Sequence, residues 1–149
     1  MSHPIFHMLG VMFAALTLTS GCGRGVRLAP VAPPAASPVS QVVIELAPEV
    51  RGKKERVLRK HYVMEAMGVA LRQSVAVGGQ DQLVVVIKGF RSGHWGPTSL
   101  DVVADVVTPD GTVKARYSAQ ARSMAGSRRN RIQKVAQKVV WDLVDQMPR

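Results

Sequence analysis

The sequence contains a single cysteine, so the chain cannot form an internal disulfide, and only 5% of its residues are aromatic. Acidic residues are also scarce, since 10 Asp and Glu stand against 20 Lys and Arg, for a formal net charge of +10. The uncharged stretch Ile5–Thr19 is shorter than the roughly 20 apolar residues that a membrane-spanning helix needs. These shortages exclude a disulfide-stabilised scaffold and a membrane helix of ordinary length in this stretch.

The beginning of the chain has the features of a secretion signal. Within Ile5–Thr19, the run Leu9–Leu16 is nearly all apolar, and small residues follow it. With Cys22 directly after Ser20-Gly21, the segment resembles the lipobox of bacterial lipoproteins. The resemblance implies that residues 1–21 are a signal peptide, that the Cys22 thiol receives a diacylglyceryl group, and that the new amino terminus is acylated.

The resemblance also implies a location. Gly23, and not Asp, follows the cysteine, which in enteric-type bacteria favours the outer membrane. Several acyl chains on one residue hold a protein stably, because each buried methylene contributes roughly 0.8 kcal/mol. We therefore expect a lipid-anchored protein of the bacterial cell envelope, in the outer membrane and facing the periplasm.

A proline-rich segment follows the cysteine. It contains Pro30, Pro33, Pro34 and Pro38, and proline lacks an amide hydrogen and restricts the residue before it. We expect residues 22–40 to comprise the lipidated cysteine and a disordered, partly polyproline-like tether. Such a tether would let the domain stand up to roughly 50 Å from the bilayer. A single domain then occupies residues 41–149.

Hydrophobic periodicity predicts the elements of that domain. Gln41–Leu46 is typical of a strand, and Leu83–Ile87 of a central strand covered on both faces or nearly so. Glu55–Val77 predicts a long amphipathic helix that Gly78-Gly79 ends. A second helix is predicted over Ser127–Met147, with Ser127 as its N-cap and one apolar stripe: Ile132, Val135, Val139, Leu143 and Met147.

Alternating apolar residues predict a hairpin on either side of Thr108–Gly111. The two apolar sets share one face only if the loop has an even number of residues, two or four, because a slip of one residue turns every side chain over. We therefore expect Val106 opposite Val113 and Asp105 opposite Lys114, and we reject a three-residue bulged loop.

The element order β-α-β-β-β-α predicts an α+β fold of two layers, with two helices on one face of a mainly antiparallel four-stranded sheet. The connection from the first strand through the long helix would add one parallel pair. The signal, the tether and this order resemble small uncharacterised envelope lipoproteins of Gram-negative bacteria. That resemblance implies a compartment and no particular activity.

Basic residues form two groups at the starts of the predicted helices, where they are unfavourable beside the positive end of the helix dipole. This placement suggests contact with an anionic partner, although a solvated basic face is the alternative interpretation. The first group is Arg51, Lys53, Lys54, Arg56, Arg59 and Lys60. The second is Arg128, Arg129, Arg131, Lys134 and Lys138, with Arg122 before it.

The loop between the second and third strands is a further candidate for binding. It presents Arg91, His94 and Trp95 on a glycine-flanked tip, and Trp and Arg are common anchors at interfaces. The alternative is that Trp95 folds back and covers the edge of the core.

Catalytic signatures are not found in the sequence. His61 and His94 remain after removal of the signal, and they are distant in the chain. Asp101 and Asp105 share a strand face, where we expect them to pair with Lys114 and Arg116 instead of binding a cation. We expect no enzyme, no cofactor and no metal. Few aromatic residues and an export signal disfavour nucleic acid as a partner.

Three functional hypotheses follow. The first is a non-enzymatic binding or assembly module whose basic surface contacts an anionic lipid, lipopolysaccharide or an envelope protein. The second is an accessory subunit of a secretion, transport or surface-assembly complex that pairs through a sheet edge. The third is a periplasmic binder of polyanions or nucleic acid.

Overall fold

The computed structural model describes residues 25–149, so the predicted signal peptide and the Cys22 lipidation site lie outside the described residues. One sheet contains four strands, β1 (Ala35–Leu46), β2 (Val75–Ser92), β3 (Thr98–Val107) and β4 (Val113–Ser123). The helices are α1 (Lys53–Lys60), α2 (Val63–Ser74) and α3 (Arg128–Gln146), and a single 3-10 turn (Pro48–Val50) precedes α1. Among the helices of this range, none combines the length and the apolar character needed to cross a bilayer.

The strands lie in the order β1-β2-β3-β4. The connection through α1 and α2 makes β1 parallel to β2, whereas β2, β3 and β4 are antiparallel neighbours. The predicted α+β fold is therefore confirmed, with helices packed on a mainly antiparallel four-stranded sheet.

The core lies between the sheet and the helices. Alternate residues of β2 and β3 are buried there, and the predicted stripe of α3, including Ile132 and Leu143, packs against them. On the opposite face of the sheet, Val84, Val86 and Val103 are only partly buried. β2 is therefore an interior strand of the sheet, as Leu83–Ile87 predicted, but only one of its faces is fully covered because the helices pack on that face alone.

The long helix predicted for residues 55–77 is two helices. Tyr62 adopts a left-handed conformation, with φ 53°, and separates α1 from α2. Gly78 and Gly79 do not end a helix, since both lie within β2. A Cβ atom at Gly79 would lie 2.2 Å from the carbonyl oxygen of Pro38, so β1 can approach β2 here only beside a glycine.

The β3–β4 hairpin differs from the prediction in its register. Its loop, residues 108–112, has an odd number of residues, and Val107 lies opposite Val113. A bulge follows in β4, so that Val106 pairs with Ala115 and Asp105 with Arg116. The extra residue of the bulge offsets the odd loop and returns the apolar side chains of β4 to the inward face. The prediction had placed them on that face by assuming an even loop.

Residues 25–34, here called the N-terminal strap, pack against the helices, so the prediction of a disordered tether is wrong for this segment. Val26 is buried. The Ala29 amide donates to Gln137 Oε1 at 2.6 Å, and Gln137 Nε2 donates to the Ala29 carbonyl at 2.9 Å. β1 then begins at Ala35, before the predicted boundary at residue 40. Side chains of the helices supply the hydrogen-bond partners that a proline-rich backbone cannot provide for itself.

Replacing Ser74 with alanine tests the binding of the strap. Ser74 is buried, and its Oγ accepts a hydrogen bond from the Val31 amide at 2.7 Å and donates one to the Ala70 carbonyl at 2.6 Å. We expect Ser74→Ala to lower the free energy of unfolding, measured in urea, by about 1–3 kcal/mol, because the Val31 amide loses its acceptor. The exposed control Ser118→Ala should change it by less than about 0.5 kcal/mol. Equal stability of Ser74→Ala and wild type would contradict this contact.

Candidate functional site

Several chain segments meet at one end of the sheet, here called the basic end. β2 ends there, β3 begins there, and β4 leads through a short turn into α3. Because β1 is parallel to β2, it also ends there and delivers the chain to the start of α1. The first turns of two helices and the β2–β3 loop (residues 93–97) therefore lie together.

A groove of about 410 Å³ lies at this end between α1, β2 and α3. Each ionisable side chain among its lining residues is a cation, and these cations come from three separate parts of the chain: Lys53, Lys54, Arg91 and Arg128. Val57, Phe90, Ser92 and Gly93 complete the lining. The structure thus joins members of both basic groups with Arg91 in one site, here called the basic groove. Arg91 lies in β2 and not in the loop, as the sequence had suggested.

Arg128 is fixed in the wall of the basic groove. Its Nε donates to Ser92 Oγ at 3.0 Å, and its Nη2 donates to the Ser92 carbonyl at 2.9 Å. Lys53, Lys54 and Arg91 are exposed beside it. One oriented guanidinium and three exposed cations, of which Lys54 also donates to the Glu49 carbonyl, suit an anion that carries more than one negative group.

Arg131 has a structural role, although we expected it to bind a partner. The side chain is only 6% exposed. Its guanidinium donates to the carbonyl oxygens of Gly126 at 2.7 Å, Gly93 at 2.8 Å and His94 at 3.1 Å. Arg131 therefore positions the β2–β3 loop, and a partner at the surface cannot reach most of its donors.

Trp95 projects from the positioned loop into solvent. Its side chain is 100% exposed, so the alternative that it covers the core edge is wrong. Met124, in the turn before α3, is 69% exposed and lines a second hollow together with His94 and Trp95. Arg128 borders both this hollow and the basic groove. The apolar tip and the cationic groove are therefore adjacent.

The other predicted basic residues lie outside the basic groove. Arg59 pairs with Glu55 at 2.8 Å, and Arg51 lines a different hollow that also contains Glu55. Arg56, Lys60 and Lys134 are exposed on their helices.

Lys138 pairs with Asp142 at 3.1 Å and is about 15 Å along α3 from Arg128. Arg129 donates to the Gly25 carbonyl at 2.7 Å and so holds the start of the strap.

The pKa of His61 reflects the burial and the positive charge at the basic end. Burial lowers the pKa of its imidazole, and the positive charges of Arg128, Lys60 and Arg129 lower that pKa further. Its Nδ1 is buried and finds no hydrogen-bond partner among residues 25–149. Both effects disfavour the charged form of the imidazole in the folded protein.

The acidic pair of β3 forms part of the sheet surface. Arg116 donates to both carboxylate oxygens of Asp105, at 2.7 and 2.8 Å, and these bonds lower the pKa of Asp105. Lys114 pairs with Asp81 at 3.2 Å, and not with the carboxylates of β3 as predicted. Over the described range, no cluster of three His, Cys, Asp or Glu side chains has a geometry that could hold a metal ion.

No family model matches the chain, and no curated protein matches it in sequence. The fold is similar to that of a Xanthomonas campestris protein of the DUF330 family, at 13% identity and a TM-score of 0.51, over 80% of this chain and 89% of that one. A PelC dodecamer from Paraburkholderia phytofirmans matches at 18% identity and a TM-score of 0.45, over 84% of this chain and 95% of that one. The first likeness supports the fold alone.

Arg131→Lys tests the positioning of the loop. Lysine lacks the planar set of donors that reaches three carbonyl groups, so polar groups would remain unpaired inside the protein. We expect the free energy of unfolding in urea to fall by about 2–4 kcal/mol. Hydrogen exchange at the amides of residues 93–96 should also accelerate. Arg122→Lys, at an exposed position, is the matched control, and an equally small effect of both substitutions would refute this role.

The lowered pKa of His61 predicts a pH dependence of stability. As the pH falls below about 6.5, the unfolded chain takes up a proton at this residue before the folded one does, which favours unfolding. We expect the free energy of unfolding to decline from pH 7 until the pH reaches the folded-state pKa of His61. In His61→Gln the decline should be smaller, whereas His94→Gln, on the exposed loop, should retain it. An unchanged profile in His61→Gln would be evidence against this assignment.

Proposed function

We propose that this chain is a lipid-anchored protein of the bacterial envelope, attached through Cys22 in the outer membrane and facing the periplasm. In this proposal it acts as a non-enzymatic binding module whose basic groove contacts a phosphate-bearing, anionic component of the envelope. One observation supports the binding of an anion most directly. The ionisable residues that line the groove are all cations, namely Lys53, Lys54, Arg91 and Arg128.

The placement of these cations supports an external anion. Lys53 and Arg128 are the first residues of α1 and α3, beside the positive ends of the helix dipoles. Each such placement costs about 0.3–1 kcal/mol of stability. Arg128 donates to Ser92, and Lys54 Nζ donates to the Glu49 carbonyl at 3.3 Å, whereas Lys53 and Arg91 are exposed to solvent. An anion bound in the groove would offset both the mutual repulsion of the cations and the unfavourable dipoles.

The same residues support binding in preference to catalysis. Ammonium and guanidinium groups carry positive charge and hydrogen-bond donors but no acceptor, which suits them to anion binding. Near an anionic surface, each lysine or arginine contributes about 1 kcal/mol at low salt. Four cations are therefore enough for specific but reversible contact.

A second candidate function is pairing of the β1 edge with a strand of a partner protein. β1 is an edge strand of the sheet, and a hollow of about 810 Å³ lies beside it. The hollow is lined partly by Ile44, Leu46 and Met64, which are half-buried apolar residues. A partner strand would satisfy the backbone groups of the edge and cover these side chains.

The double substitution Lys53→Glu/Lys54→Glu tests the basic groove, with immobilised inorganic polyphosphate as the probe and the full-length protein in mild detergent. We expect binding to weaken about 30-fold or more, because each lysine contributes about 1 kcal/mol and a factor of ten corresponds to 1.4 kcal/mol. Stability should rise slightly, since acidic residues suit the start of a helix. Weaker binding in a more stable protein would separate function from folding.

The control variant Arg72→Glu/Lys88→Glu makes the same change in net charge at exposed positions outside the groove. It should bind polyphosphate nearly as well as wild type, and rising salt should weaken binding by both proteins. Equal losses in the two double variants would mean that net charge alone drives binding and would contradict the groove. A partner from the envelope that stays bound at high salt and to the groove variant would favour pairing at the β1 edge.

A further inference from the structure

The described chain begins at the basic end. The Gly25 carbonyl accepts a hydrogen bond from Arg129 Nη2 at 2.7 Å, and the Val26 amide donates to the His61 carbonyl at 2.9 Å. Arg129 lies in the first turn of α3, next to Arg128 of the basic groove. The strap then runs along α3 toward its other end, because Arg27 contacts Gln133 and Ala29 contacts Gln137.

This path leaves little chain between the domain and the proposed anchor. Cys22 precedes Gly25 by only three residues, which span about 10 Å when extended. The strap cannot lengthen this link without first losing the contacts of Gly25 with Arg129 and of Val26 with His61. A lipid on Cys22 would therefore hold the basic end, and no other part of the domain, close to the bilayer.

The chemistry of the basic end matches the surface of a bilayer. Trp95 is fully exposed, and tryptophan prefers the headgroup region, where its ring is buried and its N–H meets polar groups. Met124 is exposed beside it and provides a second apolar side chain. Lys53, Lys54, Arg91 and Arg128 lie next to this tip, where they suit the phosphates of anionic lipids.

The loop that carries Trp95 is already held in the exposed conformation. Arg131 fixes the carbonyl groups of Gly93 and His94, which directly precede the tryptophan. The loop backbone therefore loses little conformational freedom when the tryptophan enters a membrane surface.

From these observations we propose that the basic end lies directly on the lipid bilayer that holds Cys22, with Trp95 and Met124 in the headgroup region and the cations of the basic groove on lipid phosphates. The inference rests on the proposed function, because it requires the lipid at Cys22, and it identifies the anionic component as the lipid surface itself. Stable membrane contact needs two signals. Here they would be the lipid on Cys22 and the basic end, with its cations and exposed apolar side chains.

Tryptophan fluorescence of the full-length, lipidated protein tests the proposal. Trp141→Phe leaves Trp95 as the only tryptophan, and Trp95→Phe leaves Trp141, which is 50% exposed and about 20 Å along α3 from Arg128. Each variant is reconstituted into vesicles of phosphatidylethanolamine and brominated phosphatidylglycerol. We expect the emission of Trp95 to shift to shorter wavelength and to be quenched by bromine, while the emission of Trp141 stays as it is in detergent.

Two further measurements separate the possible failures. Flotation of the vesicles and mass spectrometry of the amino-terminal peptide show whether Cys22 carries lipid, and an unmodified Cys22 would overturn the proposed function together with this inference. If the protein is lipidated and floats but Trp95 is unquenched and remains open to aqueous acrylamide, the inference alone is overturned. In that case the basic end faces away from the bilayer and is open to a protein partner.

Discussion

The conformation of the basic end of this molecule depends on the hydrogen bonds of the buried guanidinium of Arg131. This guanidinium binds the carbonyl groups of Gly93, His94 and Gly126, and so joins the β2–β3 loop to the turn before α3. None of the ion pairs formed within residues 25–149 includes it, so carbonyl dipoles offset the cost of burying its charge. This one side chain sets the position of Trp95 relative to Arg128, and hence of the apolar tip relative to the basic groove.

The arrangement of charge around this site opposes the stability of the fold. Cations occupy the first turns of α1 and α3, where acidic residues would interact better with the helix dipoles. At the same end, burial and the positive charges of Arg128, Lys60 and Arg129 lower the pKa of His61 and disfavour its charged form. A chain optimised for stability alone would not concentrate like charges in this way, so the arrangement favours an anion outside the domain as the missing partner.

The fold class followed from the sequence because alternation and helical spacing report directly which face of each element is buried. The N-cap at Ser127 and the stripe of α3 were predictable for the same reason. The features that were missed depend on distant partners. The bulge before Ala115, the strap on Gln137 and Ser74, and the burial of Arg131 each arise from contacts that local periodicity does not encode. The basic groove was predictable only as two separate groups of charge, since the topology brings them together.

The strap changes what a lipid at Cys22 would do to this domain. A tether of roughly 50 Å would let every face of the domain reach the membrane, so surface chemistry alone would decide the orientation. A strap that starts beside Arg129 restricts the contact to one end and raises the effective concentration of that end at the surface. Under this restriction, one tryptophan and a few cations do not need to bind a membrane on their own. They only need to be favourable at the end of the domain that a lipid on Cys22 would hold near the bilayer, and Trp95 and the basic groove lie at that end.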